Sequence, residues 1–270
     1  MEIQSTASAD VKLADSHAHY NDLRFTELDG GARQLLDRLF SEKVGLIVNS
    51  SITPDDSRAS LELAESYEHM YATVGVHPED CAPLEFEPAM AELEALAANP
   101  KAVALGETGF DFHCEVDREL QTLWFKAQLE LARKLSMPLV IHDRDAHGET
   151  DRIIADYTDI KIMLHSFSGS PEWARELVRA GRYISFSGVI TFKNAKRAPE
   201  ALLEVPDELL LIETDCPYLA PHPLRGSINH SGNLMYTAER IAEIRGCSIE
   251  HILKITYENA LNFFNLTAKM

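Results

Sequence analysis

Apolar and polar positions along the chain follow a repeating order. A short apolar run rich in β-branched residues is followed by a longer stretch with apolar residues at three- and four-residue steps. The short runs cover 11–15, 44–49, 71–76, 102–106, 139–141, 160–164, 183–186 and 209–212. Runs that are apolar on both faces suit parallel strands covered by helices. Between them, 117–136 carries Leu120, Leu123, Trp124, Ala127, Leu131 and Leu135 as the stripe of an amphipathic helix. Ser170, Pro171 and Glu172 supply an N-cap, a proline in the first turn and an acid beside it, and Gly181 closes that helix at C′. Ile249, Ile252, Leu253, Ala260 and Phe264 give the final helix its apolar face.

Eight such alternations imply an α/β fold, a closed parallel (β/α)8 TIM barrel, with right-handed crossovers. An open doubly wound sheet fits part of the pattern, but it usually has fewer strands, and the first strand here lacks a GxGxxG turn. A length of 270 residues suits one barrel. No linker or low-complexity tract divides it, so one domain is expected over 11–270, after a flexible leader over 1–10.

The polar residues that interrupt this pattern fall in one place. His17 and His19 follow the first apolar run, His77 the third, Glu107 the fourth, His142 the fifth, His165 the sixth and Asp215 the eighth. These are the carboxyl ends of the strands, where barrel enzymes assemble their sites. In His-x-His both rings project from one face of an extended segment, because strand side chains alternate with period two. His17, His19, His142 and His165 with Glu107 and Asp215 suit Zn²⁺, Mn²⁺ or a similar cation; a pure Mg²⁺ site prefers oxygen ligands. Each taken singly has a plainer explanation: a loop histidine is often only solvated, and Glu107 or Asp215 would serve as a helix N-cap. Their joint clustering is what favours a metal site.

Six ligands exceed the needs of one open catalytic ion, which suggests two cations sharing a carboxylate. Asp215 is then placed to orient a water and accept its proton. His77 is left with two readings, a substrate phosphate contact or a partner for backbone beside Pro78. Cys216 is read as packing, and His113 and His147 as bystanders near the same mouth.

Composition narrows the partner. The formal charge is −18 and no Lys/Arg block stands out, so a protein that wraps nucleic acid is excluded. An enzyme that engages a few nucleotides at bound cations is not. The four cysteines form no CxxC pair and fit a reduced cytoplasmic chain, and no apolar run is long enough to span a bilayer.

Seven stretches carry a resemblance: Asp15-Ser16-His17-Ala18-His19, Val74-Gly75-Val76-His77-Pro78, Gly106-Glu107-Thr108-Gly109, Ile141-His142-Asp143-Arg144-Asp145-Ala146, His165-Ser166-Phe167-Ser168-Gly169, Ser185-Phe186-Ser187-Gly188 and Glu213-Thr214-Asp215-Cys216-Pro217-Tyr218. From Asp15 to about Phe264 the chain resembles the TatD-like metal-dependent deoxyribonucleases, among the amidohydrolase-type barrels. The resemblance implies one ion held by His17, His19, Glu107 and Asp215, and a second by Glu107, His142 and His165, with Glu107 bridging. It further implies Asp215 as general base, His77 at the substrate phosphate, and hydrolysis of DNA, often from the 3′ end.

One departure bears on substrate affinity. The family commonly reads Arg-Gly-Lys-x-Asn after the last strand, where this chain has Arg225-Gly226-Ser227-Ile228-Asn229. The expected substrate is therefore DNA ends or short oligonucleotides, bound weakly, with no obligate protein partner. Two other functions compete. An amidohydrolase-like enzyme would cleave an amide, ester or aminoacyl bond, but several such relatives bridge their metals through a carboxylated lysine, where Glu107 stands here. A non-enzymatic scaffold would have no need of the complete ligand set.

Overall fold

A computed structural model describes residues 12–266. The leader expected over 1–10 lies outside them. The strands are β1 Leu13–Ala18, β2 Val44–Asn49, β3 Met70–Val74, β4 Ala102–Asp111, β5 Leu139–Arg144, β6 Ile162–Leu164, β7 Tyr183–Phe186 and β8 Leu210–Ile212. The helices are α1 Gly31–Ser41, α2 Pro54–Glu65, α3 Phe86–Leu96, α4 Arg118–Leu135, α5 His147–Ile154, α6 Pro171–Arg179, α7 Arg197–Leu202, α8 Leu234–Arg245 and α9 Ile249–Phe263. All strand pairs are parallel and run in sequence order from β1 to β8. This is the (β/α)8 barrel that the sequence implies.

Strand residues alternate between two layers, as the period of two requires. Ile47, Leu210 and Ile212 face the helices in the outer core. Leu46, Val48, Val140, Met163 and Leu211 form a separate inner core with Phe263, Phe264 and Leu266. The end of α9 meets the amino ends of β6 and β7, where Lys161 Nζ donates to Asn265 Oδ1 at 2.8 Å and Asn262 Nδ2 to Tyr183 Oη at 3.0 Å. The barrel is thus filled and stoppered below, leaving the carboxyl ends of the strands for polar groups.

The seam between β8 and β1 is sewn partly by side chains. Ser16 Oγ donates to the Ile212 carbonyl at 2.9 Å, and the Thr214 N–H donates to Asp15 Oδ1, also at 2.9 Å. Beyond the strands the backbone N–H of Asp215 donates to the His17 carbonyl and that of His19 to the Cys216 carbonyl.

Two expectations are corrected. The first, fourth and fifth strands run past their apolar segments, to Ala18, Asp111 and Arg144. Sheet pairing continues after the side chains turn polar, so hydropathy ends the strand too early. In α4, capped by Asp117 and Ser136, Leu123 of the expected stripe is 47% exposed and the buried face includes Gln121 and Gln128. Gln128 holds the Val76 N–H at 2.8 Å, the Val76 carbonyl at 3.0 Å and Thr108 Oγ1 at 2.7 Å, which satisfies backbone groups where β3 and β4 approach the mouth.

Candidate metal centre

All seven site residues predicted from sequence are brought together at the carboxyl mouth. Glycine makes two of the placements feasible. A Cβ on Gly75 would come within 2.4 Å of the Gly106 carbonyl carbon, and Gly106 has φ +124°, where a side chain is strained. This close approach sets His77 beside Glu107. Asp215 takes a left-handed conformation, φ 55°, which an aspartate tolerates better than most residues.

Glu107 is the hub, and its two oxygens divide the imidazoles. Oε2 lies 3.2 Å from His17 Nε2 and 3.5 Å from His19 Nε2. Oε1 lies 2.7 Å from His165 Nε2, 3.0 Å from His142 Nδ1 and 3.6 Å from His77 Nε2. Asp215 Oδ1 stands 3.3 Å from His19 Nε2 and 3.7 Å from His17 Nε2. Three overlapping sets have the spacing to hold a cation: His17, Glu107 and His165; His17, His19 and Asp215; His77, Glu107 and His142.

The outer nitrogens of three rings suit a metal, while His17 Nδ1 is buried with no hydrogen-bond partner among the described residues. His19 Nδ1 is 3.2 Å from the Ser50 carbonyl, His142 Nε2 is 3.1 Å from Asp111 Oδ2, and His165 Nδ1 is 3.2 Å from Glu213 Oε1. An N–H donated outward leaves the inner nitrogen with a lone pair facing the centre, which is how metal-ligating imidazoles are oriented. His77 differs. Its Nδ1 accepts from the Glu79 N–H at 3.2 Å, so its Nε2 carries the proton and faces Glu107 as a donor.

Electrostatics follow from this crowding. Burial alone would raise the Glu107 carboxyl, but His165, His17 and His77 outweigh it and hold it well below the usual carboxylate range. Asp215 is likewise lowered, its burial overcome by the hydrogen bond and charge of His19. Burial opposes charge on His19, yet Asp215 and Glu107 carry it up to about 9. Burial and the charge of His142 push His77 down to about 3.

The cleft above Glu107 is about 350 Å³, and His19, His77, His142, His165, Asp215 and Tyr218 line it. A wider groove of about 700 Å³, with Lys12 and His251 in its wall, lies beside the amino end of β1 and contains none of the cluster. Cys216 is fully buried and its thiol is pushed up by burial, consistent with packing. His113 pairs with Asp145, and His147 stacks on Trp173 with its Nδ1 2.5 Å from Asp143; neither joins the cluster.

Sequence reasoning missed the carboxylates behind the ligands. Asp15, Asp111 and Glu213 are all at most 1% exposed. For Asp15 and Glu213 the signal was position: an acid inside or directly after an apolar strand run must be buried, and so needs a partner. No Lys/Arg block stands out along the sequence, yet exposed cations gather in the loops after β7 and β8. Lys193, Lys196 and Arg197 share the segment after β7, and the following βα loop adds Arg225.

A parallel eight-stranded barrel with imidazoles and carboxylates converging at its carboxyl mouth defines a class, the metal-dependent barrel hydrolases. Comparison with known proteins narrows it. The family model described as TatD related DNase matches residues 14–265. The uncharacterized metal-dependent hydrolase YabD of Bacillus subtilis is 37% identical, over 94% of this chain and 99% of its own. The uncharacterized metal-dependent hydrolase YcfH of Escherichia coli is 33% identical, over 95% and 97%. The crystal structure of YJJV, a TatD homolog from Escherichia coli, superposes with a TM-score of 0.86 at 26% identity, covering 94% of this chain and 98% of that one. The chain belongs to the TatD-related DNase family and is a metal-dependent hydrolase.

Proposed function

We propose that this hydrolase cleaves phosphodiester bonds at the ends of DNA, removing nucleotides 3′ to 5′ from single-stranded or frayed termini with two divalent cations, Zn, Mn or Mg. The observation that carries the reading is the division of the imidazoles by Glu107, with Oε2 toward His17 and His19 and Oε1 toward His165 and His142. A carboxylate that turns one oxygen to each set of nitrogens is suited to bridge two ions. His17, His19, Glu107 and Asp215 would hold one, and Glu107, His142 and His165 the other. When bound, such ions lower the pKa of a water toward ~7 and neutralise charge on the phosphate oxygens.

The chain's own residues supply the rest. Asp215, ionised at neutral pH because its carboxyl is lowered, orients the attacking water and accepts its proton. His77 donates from Nε2 to a non-bridging phosphate oxygen. Burial keeps that ring neutral, so the donor needs no protonation event to act. A cleft of about 350 Å³ is at the small end of ligand sites, which suits a strand terminus better than an intact duplex. The 3′ direction is carried by the family resemblance. Among the described residues no helix is long and apolar enough to cross a membrane and all four cysteines are free, in keeping with a cytoplasmic enzyme.

The test is a substrate panel given to metal-reconstituted protein: single-stranded DNA, duplex DNA, an amide, a lactone and an aminoacyl ester. Turnover should be highest on single-stranded DNA. Faster turnover of the amide, lactone or aminoacyl ester would replace this reading with an amidohydrolase-like one.

A further inference from the structure

Charge is distributed unevenly around the mouth. On one side Asp22, Asp56, Glu79 and Asp80, from the segments that follow β1 to β3, line the cleft with Asp111 at the end of β4. Among the described residues the one lysine or arginine in the lining, Arg144, stands 3.7 Å from Asp111. Burial, with Glu79 and Glu107 nearby, pushes the Asp80 carboxyl up to about 6, a sign of how crowded with acid that side is. On the other side, the segments after β7 and β8 contain no Asp or Glu from 187 to 199 or from 216 to 238, in a chain with 43 acids.

Those acid-free segments carry Lys193, Lys196, Arg197 and Arg225, all exposed. Among the described residues, none of the four is held in an ion pair, unlike Arg58, Arg133, Arg175 and Arg245. They belong to one surface. The Arg225 guanidinium lies 3.7 Å from the centroid of the Phe192 ring, and the His222 N–H donates to Thr191 Oγ1 at 2.8 Å. A Cβ on Gly188 would meet the Leu219 carbonyl at 2.2 Å, so the two segments are packed backbone to side. The surface also adjoins the metal centre. Ser187 Oγ is 2.9 Å from Ser166 Oγ, next to His165, and Tyr218 lines the cleft just after Asp215.

We infer that the segments after β7 and β8 form a track for the phosphate backbone of a single nucleic-acid strand, whose end enters the cleft. The inference rests on the phosphodiesterase reading and adds where the substrate lies. Phosphates would be repelled by the acidic side, so the strand leaves over Arg225, Lys193, Lys196 and Arg197. These cations have no ion pair to break when phosphate arrives, and the loops after strands seven and eight are a recurrent phosphate-binding place in barrels. Contact with backbone alone gives binding that is independent of sequence and sensitive to salt.

The experiment compares metal-loaded wild type with the variant Lys193→Gln/Lys196→Gln/Arg197→Gln/Arg225→Gln, and with a control Lys12→Gln/Lys254→Gln at the far groove. Binding of a hydrolysis-resistant phosphorothioate strand about 12 nucleotides long is measured against salt. Each phosphate contact contributes a slope of about −0.7 for single strands, so the quadruple variant should lose about two to three units of slope. KM for the unmodified strand should rise about tenfold, while kcat and hydrolysis of bis(4-nitrophenyl) phosphate stay at wild-type values. The pair Lys196→Gln/Arg197→Gln should show about half the loss of slope. An unchanged slope, or an equal change in the control, overturns the track. Salt-dependent strand binding by a wild type that cuts nothing keeps the track and overturns the nuclease reading. Cleavage with an unchanged slope in the quadruple variant does the reverse.

Discussion

His165 Nε2 lies 2.7 Å from Glu107 Oε1, while Oε2 of the same carboxylate faces His17 Nε2 at 3.2 Å. One side chain therefore organises both halves of the cluster. Glu107→Ala should abolish stoichiometric metal binding and lower DNA cleavage by about 10²-fold or more, because both proposed ions lose a shared ligand. Elemental analysis after dialysis checks this. Retention of the full wild-type metal content would place the ions elsewhere.

Glu213 stands behind His165, with Oε1 3.2 Å from Nδ1 and the residue fully buried. It fixes which nitrogen of His165 presents its lone pair to the centre. Glu213→Gln should weaken metal affinity about 10- to 100-fold with the protein still folded. A competition titration with a chelating dye measures the change, and wild-type affinity would show that Glu213 only fills space.

His77 has a different expected signature. With the Glu79 N–H on Nδ1, its Nε2–H is a donor. His77→Ala should leave metal content unchanged and reduce kcat/KM for DNA about 10- to 100-fold, the worth of a hydrogen bond to a charged group at about 1.5–3 kcal/mol. Loss of a metal equivalent on this substitution would make His77 a ligand, as its grouping with Glu107 and His142 allows.

The pH dependence of the metal-free protein follows in part from His19. Its folded value is about 9, against about 6.5 in an unfolded chain. A raised histidine stabilises fully below its unfolded value, and that contribution is lost as pH rises through the folded one. His142 and His165, also raised by their carboxylate neighbours, add to the same fall, while His17 and His77, both lowered, act below that window. The urea midpoint of metal-free protein should therefore fall as pH rises from about 6.5 to about 9, and His19→Gln should make the fall shallower. Bound metal should remove it, with protons released on metal addition. A midpoint that climbs with pH over this window would contradict the assignment.

Much of the fold and the inner ring of the site was legible in the sequence. The apolar runs marked the strands because parallel strands are buried on both faces, and the first polar residue after each run then had to lie at the mouth. Where pairing outlasted hydropathy, as in β4 reaching Asp111, the pattern fell short. The stripe on α4 failed for a related reason: Gln121 and Gln128 are buried to satisfy backbone N–H and carbonyl groups, which periodicity of apolar residues cannot register. Glu213 was legible as the first polar residue after the eighth run, whereas Asp111 was hidden, because a carboxylate beyond the apolar run in a −18 chain reads as surface until its neighbours are known. The basic track was hidden because Arg225 joins Lys193, Lys196 and Arg197 only when two loops pack.

The most direct measurement follows products from single-stranded DNA labelled at either end, using metal-reconstituted wild type and Asp215→Asn side by side. Wild type should shorten the 5′-labelled strand one nucleotide at a time from its 3′ end. Asp215→Asn should be slower by about 10²- to 10⁴-fold, the usual worth of a general base. Undiminished cleavage by Asp215→Asn would remove the chemistry from this centre.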